Sequence, residues 1–281
     1  MPIMPELLYK PECWRDFVDP LRTMEATRQI VKNPEQVRNA RGDQGETVLH
    51  WAALSNLGLI TDLLDIGLDM NAQDQQGRTP LDWQNSRVWH ICVQRETHMS
   101  EGGRYQVRQH SEALIQALWR LGGRTGPRSA LDPIQIWTRA GLWSLVDMRQ
   151  DLAGTGVPLR VLQGLGPQQE TALHGWVLAP DSPEKHRHLD RWLKQGLSID
   201  AADAQGWTPL RYAIEGLHEQ PSWHRIILAS IRTLIEKGAS PDASDREGVT
   251  PRERLEAIQA ASGWDEDLER QLRQALIREG D

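Results

Sequence analysis

The chain has 281 residues, a formal net charge of −7 and a pI near 5.7, so it is mildly acidic. This charge argues against nucleic-acid binding, which requires clustered Lys and Arg to neutralise phosphates. An apolar fraction of 39% and a charged fraction of 25% are typical of a folded protein and exclude a disordered one.

Cysteine content and hydropathy give two further expectations. Cys13 and Cys92 are too few and too far apart for a disulfide framework or a cysteine metal site. The N-terminus lacks a basic segment followed by an apolar run, and no stretch approaches 18 apolar residues. We therefore expect a cytoplasmic protein with no membrane association.

A five-residue motif recurs along the chain. Gly206-Trp-Thr-Pro-Leu210 returns as Gly77-Arg-Thr-Pro-Leu81, as Gly45-Glu-Thr-Val-Leu49 and, shortened, as Gly248-Val-Thr-Pro251. The motif threonines and a fifth threonine in a related context are Thr47, Thr79, Thr171, Thr208 and Thr250. Their spacing predicts a repeat of about 33 residues with insertions.

A second landmark keeps the same register. Gly67, Gly196 and Gly238 each follow an amphipathic run and each lie 12 residues before one of these threonines. Glycine in that place is typical of a helix C-terminus, and Thr-Pro is typical of a helix start. Each unit is therefore predicted to be two helices followed by a polar turn.

The closest copy of the unit runs from Gly45 through His50 and Trp51 to Ala53, with a second helix around Leu63 and a turn after Gly67. This sequence resembles the ankyrin repeat, and the resemblance covers residues 40–94 and 165–255. It implies an all-α fold: an ankyrin-repeat solenoid of five to six helix–turn–helix units, including atypical capping units.

In chain order we predict one continuous array with five parts. Residues 1–40 are N-terminal capping helices, 41–131 are ankyrin units with an inserted loop near 96–110, and 132–168 are a degenerate unit. Residues 169–247 are ankyrin units with insertions at 180–187 and 216–224, and 248–281 are C-terminal capping helices. In the degenerate unit, residues 134–137 take the place of Thr-Pro-Leu-His and 142–146 form the second helix.

No motif for catalysis or cofactor binding emerges. The resemblance gives His50 and His174 a structural hydrogen-bonding role, and neither has a nucleophile at a suitable spacing. A metal site built from His186, His188, His218 and His224 would need two inserted segments to converge; we favour surface histidines. We expect no catalytic residue, no metal and no cofactor.

The resemblance places partner binding on the positions that the repeat leaves free, namely the turn tips and the inner-helix face. The predicted partner-binding residues are Asp43, Glu46, Ser55, Gln75, Arg78, Arg87, Gln205, Trp207 and Arg246. Trp207 is the most informative because exposed Trp is favoured at interface hot spots. The alternative is that its ring folds against the neighbouring turn.

The sequence thus predicts a non-enzymatic scaffold, monomeric when free, that binds another protein. Arg greatly outnumbers Lys and Trp and Gln are abundant, which we interpret as bacterial, so an immunity protein or antitoxin neutralising a toxin is one hypothesis. A secreted effector that binds a host protein is the second. The third is an enzyme whose site is built from the inserted segments and the degenerate middle unit, with the Arg-rich stretch 104–139 holding an anionic substrate.

Overall fold

A computed structural model describes residues 32–54, 57–93, 100–126, 132–152, 162–165, 168–219, 224–262, 270–272 and 274. The chain divides into two compact units, Met1–Ala130 and Leu131–Asp281. Both are helical over the described ranges, where extended pairing is limited to one antiparallel bridge between Leu165 and Glu170. The all-α prediction is confirmed.

The first unit contains α1 (Pro34–Asn39), α2 (Val48–Ala52), α3 (Leu57–Asp65), α4 (Pro80–Val88) and α5 (Glu101–Arg120), with a π-helical turn at Trp89–Val93 directly after α4. The first helices α2 and α4 pack on each other, and each contacts its own second helix, α3 or α5. Apolar residues such as Leu49, Ile60, Leu81 and Ile115 are fully buried between them. Each helix pair thus buries its apolar face against the next pair.

The second unit contains α6 (Pro133–Ala140), α7 (Trp143–Leu152), α8 (Ala172–Trp176), α9 (Pro183–Lys194), α10 (Pro209–Glu219), α11 (His224–Glu236) and α12 (Pro251–Ser262). The first helices stack in the order α6, α8, α10, α12, and the second helix α7 packs on α9. Trp137, Trp176 and Trp192 are completely buried and fill this core.

The helices begin where Thr-Pro predicts. The Thr79 hydroxyl accepts a hydrogen bond from the Asp82 amide, and Pro80 occupies the first turn, where a missing N–H costs nothing. Gly67 and Gly196 have positive φ angles of 87° and 95° at the ends of second helices, as their spacing predicted.

The degenerate unit keeps its helix pair, but its register differs from the prediction by two residues. Asp132 caps α6, Pro133 opens it, and Gln135 lies where the ankyrin motif has His. Asp132-Pro-Ile-Gln135 therefore replaces Thr-Pro-Leu-His, and the predicted placement at 134–137 was wrong. Asp is as good an N-cap as Thr, so the helix start is preserved.

Two predicted inserted loops are partly helical. Residues 101–110 belong to the 20-residue α5, because Ser100 caps it through a hydrogen bond from the Gly103 amide. Residues 183–187 belong to α9, whose N-cap Ser182 accepts from the Lys185 amide. In both cases a serine cap starts the second helix earlier than the polar composition suggested.

Several predictions fall outside the described ranges: the capping helices before residue 32, most of the 151–168 turn, and most of 263–281. Among the described helices, none is long and apolar enough to cross a membrane.

Candidate partner-binding surface

Each intact turn is closed by one aspartate. The Asp203 Oδ1 accepts hydrogen bonds from the amides of Gln205 and Trp207, both at 2.8 Å, and the Asp203 amide donates to the Trp207 carbonyl at 3.0 Å. Asp74 and Asp245 make the same three contacts in their own turns. The backbone of the tip is therefore held without help from the side chains between.

Neighbouring turns are joined by backbone hydrogen bonds. The Gln75 amide donates to the Gln44 carbonyl at 2.7 Å in the first unit. In the second unit the Ala204 amide donates to Gln168 at 2.7 Å, and the Arg246 amide donates to Gln205 at 3.2 Å. We call these two rows the turn ridges: residues 42–46 with 74–78 in the first unit, and 168–170 with 203–207 and 245–249 in the second.

Gly206 shows how tightly the turns meet. Its φ is +84°, and a Cβ there would lie 2.8 Å from the Arg246 amide nitrogen. A side chain at this position would therefore be strained and would push the next turn away.

His50 and His174 anchor each ridge to its first helix. The His174 Nδ1 accepts from the Thr171 amide at 2.9 Å, so its Nε2–H donates to the Trp207 carbonyl of the next turn at 2.9 Å. His50 makes the equivalent bonds to Thr47 and to Arg78. Burial lowers the pKa of both imidazoles, which keeps them neutral in the acceptor–donor form that these contacts need.

Glu46 does not present its side chain to a partner, contrary to the prediction. It is 2% exposed, and its Oε2 accepts from the Gln44 amide at 3.0 Å. Gly42 occupies the place that Asp74 and Asp203 hold in other turns, and a Cβ on Gly42 would lie 2.1 Å from Glu46 Oε1. The Glu46 carboxylate thus fills the space of the missing aspartate and closes the turn from the other side.

Arg87 is also buried, with 3% exposure, and the prediction of direct partner contact is wrong for it. Its Nη1 donates to the Leu54 carbonyl at 2.6 Å, just past the C-terminus of α2. A cation at a helix C-terminus interacts favourably with the helix dipole, so Arg87 has a structural role.

Arg78 and Trp207 hold the same position in two turns, and both are half-buried. The Arg78 guanidinium pairs with Asp74 at 2.8 Å and lies 5.4 Å from the Trp83 ring centre. The Trp207 ring covers the Arg211 guanidinium of its own first helix, α10, at 5.0 Å. This contact lies within its own repeat and differs from the alternative of a ring folded against the neighbouring turn. Each still presents part of its surface to solvent.

The remaining predicted residues are exposed on the ridges: Asp43, Gln75, Gln205 and Arg246. Gln44, Gln76, Gln168 and Glu247 lie exposed beside them. Ser55 lies outside the described residues. These side chains are not packed into the core, so the ridges are the part of the predicted site that the structure brings together.

Sequence reasoning missed a buried polar network beneath the second ridge. The Glu170 carboxylate, 5% exposed, accepts from Arg139 Nη2 at 2.8 and 3.0 Å, from Gln135 Nε2 at 2.7 Å and from the Tyr212 hydroxyl at 3.1 Å. Burial raises the pKa of Tyr212 to about 12. Glu170 precedes Thr171 as Glu46 precedes Thr47, and that shared position was the available signal.

A second missed group links the last two first helices. Glu215, which is buried, pairs with Arg211 one turn earlier and accepts two hydrogen bonds from Arg254 of α12, at 2.7 and 2.9 Å. Desolvation raises the carboxyl pKa, but the arginine hydrogen bonds and charges outweigh it and lower the pKa of Glu215. This ion-pair group stabilises the stack.

The histidines proposed as metal ligands face different partners. His186 contacts Asp181 at 2.8 Å, His188 contacts Asp147 at 3.0 Å, and His224 contacts the Leu217 carbonyl at 2.8 Å. The side chain of His218 lies outside the described residues. Across the described part of the chain, no three potential ligands converge on a metal position.

The comparisons with known proteins agree with this geometry. A family model for the ankyrin repeat matches residues 44–75, which span the first turn, α2, α3 and the start of the second turn. The ankyrin repeat domain of human ASB11, known from a crystal structure, is similar, with a TM-score of 0.50 and 16% sequence identity. The match covers 88% of this chain and 99% of that domain. Residues 44–75 thus match the ankyrin repeat in sequence, and the chain shares the fold of an ankyrin repeat domain.

No curated protein matches this chain in sequence. The likeness to the solved domain concerns the fold.

Proposed function

We propose that this ankyrin-repeat protein is a non-enzymatic scaffold that recognises a partner protein through its turn ridges and the adjoining first helices. The observation that supports it is that different groups within each turn hold the backbone and face the solvent. Backbone hydrogen bonds and Asp203 or its equivalents hold the tip, and the side chains of Asp43, Gln75, Gln205 and Arg246 are exposed to solvent, where a partner can contact them. A surface held rigid before binding loses less entropy on association.

We infer further that the partner is a toxin, and that the protein neutralises this toxin by masking the toxin's active site. The support is compositional: the excess of Arg over Lys and the abundance of Trp and Gln that suggest a bacterial source. The competing version is an effector bound to a host protein. In the immunity version the protein acts as a monomer in the cytoplasm of the cell that makes it.

The test begins with the product of a neighbouring toxin gene. The full chain and that product are purified, and the Kd is measured by calorimetry. We expect Arg246→Glu or Gln205→Ala to weaken binding at least tenfold, since a hot-spot truncation costs about 1.4 kcal/mol or more. Lys194→Ala, an exposed change on a second helix, is the matched control and should bind as the wild type does.

The outcomes of this test distinguish the immunity, effector and enzyme hypotheses. Binding to a host protein but not to the toxin would favour the effector. Binding that is unchanged by ridge substitutions in both units would reject the proposed surface. Turnover of an anionic substrate, lost on Arg104→Ala or Arg108→Ala, would instead favour the enzyme with a site in the middle region.

A further inference from the structure

His188 lies at the contact between two second helices, α7 and α9. Its side chain is 7% exposed, and its ring stacks on Trp143 of α7 at 4.8 Å with an interplanar angle of 27°. Trp192, one turn later on α9, meets the ring edge to face at 5.6 Å. Two indoles thus fix the plane of the imidazole.

Both ring nitrogens of His188 face oxygen atoms. Nδ1 lies 2.8 Å from the Glu184 carbonyl oxygen, and Nε2 lies 3.0 Å from Asp147 Oδ1. A carbonyl oxygen and a carboxylate can only accept, and a neutral imidazole carries one N–H. The two contacts are therefore satisfied together only when the imidazole is doubly protonated.

Asp147 is arranged to stay ionised. Its Oδ1 also accepts from Arg191 of α9. Burial acts to raise the carboxyl pKa, but the hydrogen bonds from His188 and Arg191 outweigh it and lower the pKa of Asp147. The carboxylate is thus charged throughout the range in which histidines titrate.

Other charged groups near α9 have partners elsewhere. Lys185, one turn before His188, directs its amine to the Ala179 carbonyl and to Ser230 of α11. The helix α8, which also packs on α9, presents the uncharged Trp176. Lys237, just past α11, pairs with Asp190. Arg187, which precedes His188, pairs with Glu184 at 2.7 Å, and Arg191 pairs with Asp147.

We propose that His188 and Asp147 form a pH-sensitive clasp between α7 and α9, which is closed when the imidazole is protonated and loosened when it is neutral. Both nitrogen contacts are made only by the doubly protonated ring, so we expect the clasp to hold in mild acid and to loosen as the pH rises. The clasp ties the degenerate unit to the following ankyrin unit and lies on second helices, not on the turn ridge. The proposal does not depend on the identity of the partner.

The first measurement is made on the full chain with ¹⁵N-labelled histidine. At pH 5.5 we expect both His188 ring nitrogens to give protonated shifts, assigned by their absence in His188→Gln. A neutral tautomer at that pH would overturn the proposal.

The second measurement is amide hydrogen exchange by mass spectrometry, comparing wild type and His188→Gln at each pH so that intrinsic exchange rates cancel. We expect the extra protection of residues 143–152 and 183–194 in the wild type to fall about tenfold between pH 6 and 8.5, equivalent to about 1.4 kcal/mol, the size of one hydrogen bond to a charged group. His186→Gln, on the same helix but with an imidazole 44% exposed, is the matched control and should leave the wild-type profile unchanged.

If His188→Gln does not fold, Asp147→Asn serves instead, because it removes the charge and keeps an acceptor oxygen. It should flatten the same pH dependence. A variant profile parallel to that of the wild type from pH 6 to 8.5 would show that the contact is only structural and would overturn the clasp.

Discussion

Lys185→Met provides a sharp test of how the second unit is held together. The Lys185 side chain is 1% exposed, its amine lies 4.5 Å from the Trp176 ring centre, and it donates to the Ala179 carbonyl at 2.9 Å and to the Ser230 hydroxyl at 2.8 Å. The described residues supply no carboxylate in contact with it. Burial accordingly lowers the pKa of Lys185 from 10.5 to about 7.

This shift sets the direction of the pH dependence. Between pH 10.5 and 7 the unfolded chain binds a proton on Lys185 that the folded chain does not, so the free energy of unfolding decreases as the pH falls. At about 1.4 kcal/mol for each pH unit, the total decrease is about 5 kcal/mol. Above pH 10.5 the amine is neutral in both states and this cost disappears.

Lys185→Met keeps a similar volume and removes the titration. It leaves the Ala179 carbonyl without its donor, which costs about 1–3 kcal/mol. The Ser230 hydroxyl still donates to the Val177 carbonyl at 2.9 Å. We therefore expect the variant to be less stable than the wild type near pH 10.5 and more stable, by about 2–4 kcal/mol, at pH 6.

The assay is urea unfolding of the full chain from pH 6 to 10.5, followed by tryptophan fluorescence. Lys194→Met, at an exposed position on the same helix, is the matched control and should follow the wild-type curve. The reasoning is refuted if the stability curves of Lys185→Met and wild type run parallel and never cross.

Substitutions at Gly206, His174 and Glu170 test the ridge and the network beneath it. Gly206→Ala should lower the free energy of unfolding by about 2 kcal/mol or more by urea titration, because it adds a left-handed alanine and a close backbone contact; no loss would contradict the tight approach of the turns. His174→Gln should keep the ridge and reduce the loss of stability below pH 6.5, since burial lowers the His174 pKa and the unfolded chain takes up a proton that the fold does not. Gln135 already makes the equivalent contacts in its own repeat. If the acid-unfolding slope of His174→Gln equals that of the wild type, the prediction is wrong. Glu170→Gln should lower the free energy of unfolding by about 3–5 kcal/mol because the buried Arg139 loses its charged partner. The double variant Glu170→Met with Arg139→Met should lose less than Glu170→Gln alone. If thermal unfolding shows the reverse order, the two residues do not form a buried ion pair.

The sequence predicted the parts of the fold that depend on local chemistry. Thr79-Pro80 starts a helix and Gly196 ends one because each residue satisfies the backbone of its own turn. The two-residue error at Asp132 arose because Asp, and not the usual Thr, is the N-cap of this helix.

The candidate site was predicted less well because the exposure of a side chain depends on the groups that surround it in the folded chain. Glu46 and Gln75 both lie on turns, but only Glu46 has a glycine at the place of the usual aspartate, and its carboxylate turns inward to fill it. The burial of Arg87 depends on the carbonyl of Leu54 in the preceding unit, 33 residues earlier, which no short motif reveals.

The backbone ladder of the turn ridges has an evolutionary consequence. Because amides and carbonyls carry the contact between turns, substitutions at Gln75, Gln205 or Arg246 leave those bonds intact. Surface changes away from caps and packing usually alter stability by less than about 0.5 kcal/mol. Mutations can therefore change the exposed side chains of the ridges while the free energy of unfolding stays nearly constant. A lineage could acquire a new partner in this way without first acquiring extra stability.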